Sequence, residues 1–442
     1  MIFVKDILRI CNGKLLCGNK ELECINFTND TRTLNKGDIF VGIKGESFNG
    51  NTFYKDAIKK GASACIIDDP SVIDKDIDGT TIILVEDSIK AIQALAKYKR
   101  SLYDIPVVAV TGSVGKTSVK DMVSAVIASH YKTLSTKGNM NNHIGLPFTI
   151  LGLKDHEALV VEMGMNHLGE IHTLSDIAKP TLAIITNIGT AHIGNLGSRE
   201  NILKAKMEIT DGLSGALIIN NDNDMLRNVK YNKLITIGID NNSNYMAHDI
   251  KDNVFETDFY IGNDYINLPI GSRAFVYNAL FAYATGEYLG IPKEKIINSL
   301  KNFKLTPHRL ELISHKDYQI IDDTYNASLD SVNNALEMLS KVKGRKVFIF
   351  GDILELDDYA KDIHEEIGNI ILKDKIDVVI TVGKNSNYTY NICKEKIQSY
   401  HYDDNKNLLN EISGIIKPGD TILIKGSHGM NLIEIVNYLK LV

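Results

Sequence analysis

The sequence predicts an α/β protein of three consecutive units, and three observations predict it. Short continuous apolar runs alternate with helical patterns along most of the chain, which is how parallel sheets covered on both faces read. Proline-marked breaks fall at Asp104-Ile105-Pro106 and Leu305-Thr306-Pro307, where the residue before proline is pushed out of helical geometry. At 442 residues, each third of the chain is long enough to bury a core of its own.

The first unit, 1–103, is a small α/β domain. It opens its pattern with the strand Ile39-Phe40-Val41-Gly42-Ile43, a loop holding Gly45 and Gly50, a helical stretch through Ala57, and the strand Ala64-Cys65-Ile66-Ile67. A helical pattern from Ile89 to Tyr103 closes it. The second unit, 104–306, carries strands at Val107 to Val110, Ala158 to Val161, Leu182 to Ile185 and Ala216 to Ile219, a doubly wound parallel sheet. Its polar stretch from Asp240 to Asn253 reads as a surface excursion. The third unit, 307–442, repeats the pattern as a Rossmann-like sheet, with strands at Gln319 to Ile321, Lys346 to Phe350, Val378 to Thr381 and Thr421 to Ile424.

Composition narrows the function. Hydrophobic residues make up 44% and charged residues 24%, with no apolar run approaching the ~18 residues a membrane span needs, so a soluble chain without membrane insertion is expected. Acid and base interrupt the first apolar stretch at Lys5, Asp6 and Arg9, unlike a signal peptide, and a cytoplasmic location is expected. Five cysteines, Cys11, Cys17, Cys24, Cys65 and Cys393, are odd in number and lack Cys-x-x-Cys spacing, which disfavours a disulfide framework or a zinc site. The net charge of −6 gives no basis for sequence-independent nucleic-acid binding.

The strongest local signal follows the strand at Val107. It runs directly into Thr111-Gly112-Ser113-Val114-Gly115-Lys116-Thr117-Ser118, and a helix continues through Met122 and Val126. Strand, glycine turn, Gly-Lys-Thr and helix start come in the order a phosphate cradle requires: backbone N–H groups and the helix dipole face the anion, Lys116 neutralises charge, and Thr117 can ligate magnesium. The usual pattern has a further glycine where this chain has Val110. Asn35-Lys36-Gly37-Asp38 imitates a base-reading motif but lies upstream of the loop, and is read as chance.

Other chemistry-bearing residues fall at strand ends. Glu162 follows the strand ending at Val161, so in a parallel sheet it emerges at the same carboxyl edge as the loop, where open α/β sheets bind ligands. The next strand ends in Thr186-Asn187-Ile188-Gly189, then come His192 and, on a helix, Lys206. Taken singly, Glu162 reads as well as a surface glutamate, His192 as a loop histidine and Lys206 as a solvated helical charge. Their joint register favours a metal-assisted phosphate site.

Glu162-Met163-Gly164-Met165-Asn166-His167, Thr186-Asn187-Ile188-Gly189-Thr190-Ala191-His192 and Ala205-Lys206-Met207-Glu208 resemble successive motifs of the Mur ligase family, and the resemblance spans the chain. It implies a UDP-binding amino-terminal domain, a central ATP-binding domain and a carboxy-terminal ligase domain. It implies an ATP-dependent amide-bond ligase with two Mg²⁺ ions held by Thr117, Glu162, His192 and a carbamylated Lys206. It also implies nucleotide contacts from Thr111 to Ser118, Asn278, Arg309 and Asp323, with Lys116 and Arg309 acting catalytically beside the metal residues. Thr28-Asn29-Asp30-Thr31-Arg32 and Gly45-Glu46-Ser47-Phe48-Asn49-Gly50 are similar to the UDP-binding region, with Thr31 and Arg32 as substrate contacts. Asn141, Asn142, Asn166, Tyr325 and Asn326 match further substrate-binding positions.

The element Tyr325-Asn326-Ala327, with Gly351-Asp352-Ile353-Leu354-Glu355-Leu356, His364 and Lys425-Gly426-Ser427, is most similar to members that join D-alanyl-D-alanine to UDP-N-acetylmuramoyl-tripeptide in peptidoglycan synthesis, and a monomer is expected. Asn49, Asn51, Arg273, Ser328-Leu329 and His428 depart from the family pattern. Two other readings stay open: a family ligase with a different amine acceptor, and a non-catalytic nucleotide-dependent binding protein, which would need neither His192 nor Lys206.

Overall fold

The structure, a computed structural model, describes residues 1–45, 47–74, 80–253 and 255–442; Glu46 of the Gly45 to Gly50 motif lies outside the described residues. Three separate α/β sheets follow one another along the chain. The first has five strands in the order Lys14–Cys17, Thr81–Leu84, Ala64–Ile67, Ile39–Val41, Phe27–Thr28. Only its first pair is antiparallel. The turn at Asn35 to Asp38 is structural: the Asp38 carboxylate accepts from the Asn35 N–H at 2.8 Å, and Gly37 takes φ +95°.

The second sheet has nine strands. From one edge they run Asp264–Leu268, Thr257–Ile261, Tyr245–Asp252, Leu234–Gly238, Ala216–Asn220, Leu182–Ile185, Val107–Thr111, Ala158–Glu162 and Thr133–Ser135. Four of them are the expected parallel strands, with their Val, Ile, Leu and Ala side chains fully buried, and Thr133–Ser135 and Leu234–Gly238 extend the parallel part beyond them. The register sets Glu162 beside Val110 and Ile185 beside Thr111, so three neighbouring strands end at one level.

Two expectations need correction here. Asp240 to Asn253 is not wholly a surface excursion, because Tyr245–Asp252 pairs parallel with Leu234–Gly238 and antiparallel with Thr257–Ile261. The sheet is therefore mixed rather than parallel throughout. A half-exposed strand with a bulge between His248 and Lys251 carries little apolar periodicity, which is why hydropathy alone passes over it.

The third sheet runs Glu311–Ser314, Gln319–Asp323, Thr421–Lys425, Lys346–Gly351, Val378–Val382, Gln398–Tyr402, antiparallel only at its first pair. All five cysteines are free, and Cys24, Cys65 and Cys393 are buried. No helix is long and apolar enough to cross a membrane among the described residues.

The units are joined by packing as well as by chain. Helix Ser88–Ser101 of the first packs against Gly145–Leu151 and Glu170–Ala178 of the second, within one continuous apolar cluster that includes Ile92, Leu95, Leu146, Leu174 and Ile177. At this seam the buried Arg100 donates to the carbonyls of Ala178 at 2.9 Å, Tyr103 at 2.6 Å and Lys179 at 3.2 Å. It thereby satisfies carbonyls at a helix end that have no intrahelical partner. On the other side, Thr306 hydrogen-bonds Asp121 of the helix Lys116–Ala128, and Lys341 forms an ion pair with Asp252 at 2.5 Å.

After the strand Lys346–Gly351, the Ile353 N–H donates to the Nε2 of buried His364 at 3.2 Å, while His364 Nδ1 bonds the Ala360 carbonyl at 2.7 Å. The pair of bonds requires a neutral ring with its proton on Nδ1, and burial accordingly pushes the His364 pKa below its ordinary 6.5.

Two stability predictions follow from these contacts. Arg100→Ala leaves three carbonyls unpartnered and should lower unfolding free energy by about 3 kcal/mol in urea titration, whereas Arg32→Ala, at a side chain 86% exposed, should change it by less than about 0.5 kcal/mol. For His364, the unfolded chain binds a proton that the native chain refuses, so its contribution is complete at neutral pH and is lost as pH falls below about 6.5. The stability gap between wild type and His364→Gln should therefore narrow from pH 7.5 to 5.5; a constant gap would show that the ring is not held neutral.

Candidate active site

A cleft of about 810 Å³ opens where the carboxyl ends of the second and third sheets face one another. Its floor is the turn after Val107–Thr111. Gly112 has φ +152°, and a Cβ there would lie 1.9 Å from Thr186 Oγ1; no other residue fits. Gly115, at φ +81°, caps the helix Lys116–Ala128. The neighbouring strand's tail braces the turn: the Asn187 carbonyl accepts from Ser113 N at 3.0 Å, Asn187 Oδ1 from Val114 N at 2.9 Å, and Ser113 Oγ from Gly189 N at 2.9 Å. Thr186 donates to the Val114 carbonyl at 2.6 Å. Lys116 folds back onto the Gly112 carbonyl at 2.9 Å. Thr111, wholly buried, donates to the Met163 carbonyl at 2.8 Å, so it and Gly112 support the cleft from behind while Ser113 to Ser118 line it.

Glu162 and His192 line the same cleft. Glu162 is 2% exposed, so a surface glutamate is excluded. Its Oε1 accepts from Asn141 Nδ2 at 2.7 Å, while Oε2 is buried without a hydrogen-bond partner. His192 sits at φ +65°, its Nδ1 buried and likewise without a hydrogen-bond partner. Burial, with Lys116 and Lys206 nearby, pushes its pKa down to about 4. Lys206 is 1% exposed, which excludes a solvated helical charge; it lies behind the cleft wall, and burial together with the Lys116 charge holds its amine well below the usual lysine range. An open, buried Glu162 oxygen beside a phosphate-type turn has the donor chemistry a hard divalent cation needs, and His192 adds a ring nitrogen that lacks a partner.

The third unit supplies Arg309. Its Nη2 donates to Thr117 Oγ1 at 2.9 Å, and its guanidinium lies 3.9 Å from the Tyr325 ring centre. The backbone on both sides is strained, with His308 at φ +64° and Leu310 at φ +54°. His308 Nδ1 bonds buried Asp322 at 2.7 Å, the His308 N–H donates to Glu311 at 3.0 Å, and the Leu310 N–H reaches Asp323 at 3.3 Å. These bonds over-determine the turn that aims the arginine. Asp323 is itself paired with Lys425 at 2.6 Å.

Asn278, Arg309, Asp323, Tyr325, Asn326, Asn141, Asn142 and Asn166 all line the cleft. Asn142 Oδ1 is already engaged by the N–H groups of Ile144 and Gly145, a helix-start role. Thr31 and Arg32 are not among the lining residues; Arg32 is paired with Asp30 and the Thr31 carbonyl with Lys60. Arg273 pairs with Asp240 at 2.6 Å, and its neighbour Tyr277 donates to Asp222 at 2.9 Å. Sequence reasoning singled out neither His308 nor Asp322 for orienting Arg309, although both flank residues it named.

Comparison with known proteins gives the family. Residues 26–100 match the model described as Mur ligase family, catalytic domain, residues 110–286 the Mur ligase middle domain, and residues 308–428 the Mur ligase, glutamate ligase domain. The UDP-N-acetylmuramoyl-tripeptide--D-alanyl-D-alanine ligase of Bacillus subtilis is 38% identical over 99% of this chain and 98% of its own. The structure of MurF from Acinetobacter baumannii superposes with a TM-score of 0.90 at 28% identity, covering 99% of this chain and 98% of that one. That of MurF ligase from Thermotoga maritima in complex with ADP gives 0.83 at 27% identity, covering 96% and 98%. Matched along nearly its whole length, in sequence and in fold, the chain belongs to the Mur ligase family.

Proposed function

We propose that this chain is the ATP-dependent ligase that joins the terminal carboxylate of UDP-N-acetylmuramoyl-tripeptide to the amine of D-alanyl-D-alanine, releasing ADP and phosphate. The observation that carries the reading is the convergence of Lys116, the open Glu162 oxygen, the His192 ring and Arg309 on one cleft built from two sheets. Relatives matched over nearly their full length carry that activity in their names, and one solved relative is a complex with ADP. The units 1–103, 104–306 and 307–442 are taken as the UDP-substrate, ATP and ligase domains, with Thr31 and Arg32 at the distant uridine end. A cytoplasmic monomer fits the proposed nucleotide substrates.

A carboxylate does not condense with an amine in water, because oxide is a poor leaving group. The turn from Ser113 to Ser118 and the helix behind it hold the triphosphate, and Lys116, freed from the Gly112 carbonyl, neutralises its charge. Thr117, Glu162, His192 and carbamylated Lys206 are the residues that would hold two Mg²⁺ ions, which supply Lewis acidity at the transferring phosphoryl group. Lys206 is suited to carbamylation because burial and Lys116 hold its pKa well below the ordinary lysine range, which favours the neutral amine, the form that reacts with CO₂. Asn278 and Asp323 contact the nucleotide. Arg309 lies against Thr117 and reaches the charge that develops as the tripeptide carboxylate attacks the γ-phosphorus. The acceptor amine then attacks the acyl phosphate, and phosphate leaves. Asn141, Asn142, Asn166, Tyr325 and Asn326 line the cleft where both peptides must meet, and the two facing sheets exclude water that would hydrolyse the acyl phosphate.

Purified protein with ATP, Mg²⁺ and the UDP-tripeptide should release phosphate steadily only when D-alanyl-D-alanine is added; in a panel of amines, faster release with another acceptor would replace the assignment within the family. Lys206→Ala should reduce ligation by at least about 10³-fold, and short carboxylates should partly restore it. Normal turnover in that variant would remove the carbamate from the mechanism.

A further inference from the structure

The Gly351 to Leu356 segment has no part in the mechanism above, yet it is among the most tightly held loops of the third unit. Its Ile353 N–H is bonded to His364 and its Leu354 N–H to Ser427 Oγ at 2.9 Å, and Ile353 and Leu356 are buried. Between those anchors Glu355 takes φ +62°, and Asp357 takes φ +44°. A glutamate at such a backbone angle is uncommon and is held there by surrounding contacts. Those contacts come partly from the second unit: a Cβ on Gly194 would lie 2.8 Å from Asp357 Oδ2 and 3.1 Å from the Glu355 carbonyl, and Tyr359 donates to the Gly197 carbonyl at 3.4 Å. The loop is therefore seated on the short helix Ile193–Leu196, whose first turn begins at His192.

That seating brings Glu355 to His192. Its Oε2 lies 3.6 Å from His192 Nδ1, and no other carboxylate comes within 4.0 Å of the ring among the described residues. The Nδ1 atom is buried and has no hydrogen-bond partner, while Glu355 is 64% exposed and free to rotate. A separation of 3.6 Å exceeds a hydrogen bond, which needs an approach to about 2.8 Å, and the exposed Glu355 side chain has the freedom to make it.

We propose that Glu355 is a positioning residue: it accepts the Nδ1–H of His192, fixes the tautomer, and turns Nε2 toward the divalent cation in the cleft. A histidine that ligates metal through one nitrogen is held in orientation by an acceptor on the other. Here the acceptor belongs to a different sheet from the ligand. The metal site is therefore complete only while the third unit is docked on the second, and release of that unit loosens the ligand. The inference rests on His192 being a metal ligand.

The test uses the full chain with ADP and Mn²⁺ as the probe, titrated by electron paramagnetic resonance, with ¹⁵N-histidine spectra as a second readout. Glu355→Ala should weaken Mn²⁺ binding about 10-fold or more, and should move the His192 nitrogen shifts away from the Nδ1–H tautomer. Glu355→Gln, whose amide oxygen still accepts, should recover most of the affinity, and KM for D-alanyl-D-alanine should stay close to wild type in both. Wild-type Mn²⁺ affinity in Glu355→Ala, with KM for the dipeptide raised, would overturn the proposal and place Glu355 at the acceptor amine. His192→Ala separates the two levels: if it binds Mn²⁺ as tightly as wild type, the metal reading of the site fails and this inference with it. If His192→Ala loses the ion and Glu355→Ala does not, only the role of Glu355 fails.

Discussion

The site depends on burying more positive charge than its own carboxylate can balance. Burial and Arg309 depress the Lys116 amine while Glu162 opposes them, and burial and Lys116 depress Lys206; the other buried acid of the cleft, Asp323, is already paired with Lys425. A charged amine in such surroundings is disfavoured unless an anion joins it. Two outcomes satisfy that constraint. A polyphosphate would bring negative charge to Lys116, and Lys206 holds its proton less tightly than an ordinary lysine does. The same buried positive charge that favours an anion at the turn thus favours the neutral form of a second amine.

The scaffold delivers those charges through sheet register rather than through long side chains. Three parallel strands end together, with Glu162 beside Val110 and Ile185 beside Thr111, so the turn, the acid and the Thr186 to Gly189 tail emerge at one level. Hydrogen bonds from that tail fix the turn from behind, and the contact between Gly112 and Thr186 leaves no room for a side chain. The third sheet meets this edge with its own carboxyl ends, from which Asp322, Asp323 and the Gly351 to Leu356 loop project. Much of the strained non-glycine backbone, at His192, His308, Leu310, Glu355 and Asp357, lies at this meeting of edges, where contacts within and between the two units hold it in place.

How much of this was legible in the sequence depends on the range of the interaction. Apolar strands buried on both faces announce themselves, and so does a glycine turn between a strand and a helix; those signals located the parallel strands, the three-unit order and the phosphate turn. Glu162 was legible because parallel register puts consecutive strand ends at one edge. His192 and Lys206 were legible only jointly and by family resemblance, since a buried lysine and a solvated one are written with the same letter. Tyr245–Asp252 was passed over because half-exposed strands lack apolar alternation. The orientation of Arg309 by His308 and Asp322 depends on a turn with two left-handed residues, and Leu310, unlike His308, is of a type that gives no hint of that backbone angle.

Dividing the site between two sheets has a chemical consequence. An acyl phosphate is destroyed by water, so the groups that form it should be assembled only when water is shut out. Here assembly and exclusion are one event: Arg309 reaches Thr117, and the loop carrying Glu355 reaches the helix that starts at His192, only with the two edges facing one another. Thr306, bonded to Asp121 on the helix behind the phosphate turn, anchors the crossing between the units at a fixed point. Motion about that point would separate Arg309 from Thr117 and Glu355 from His192 together.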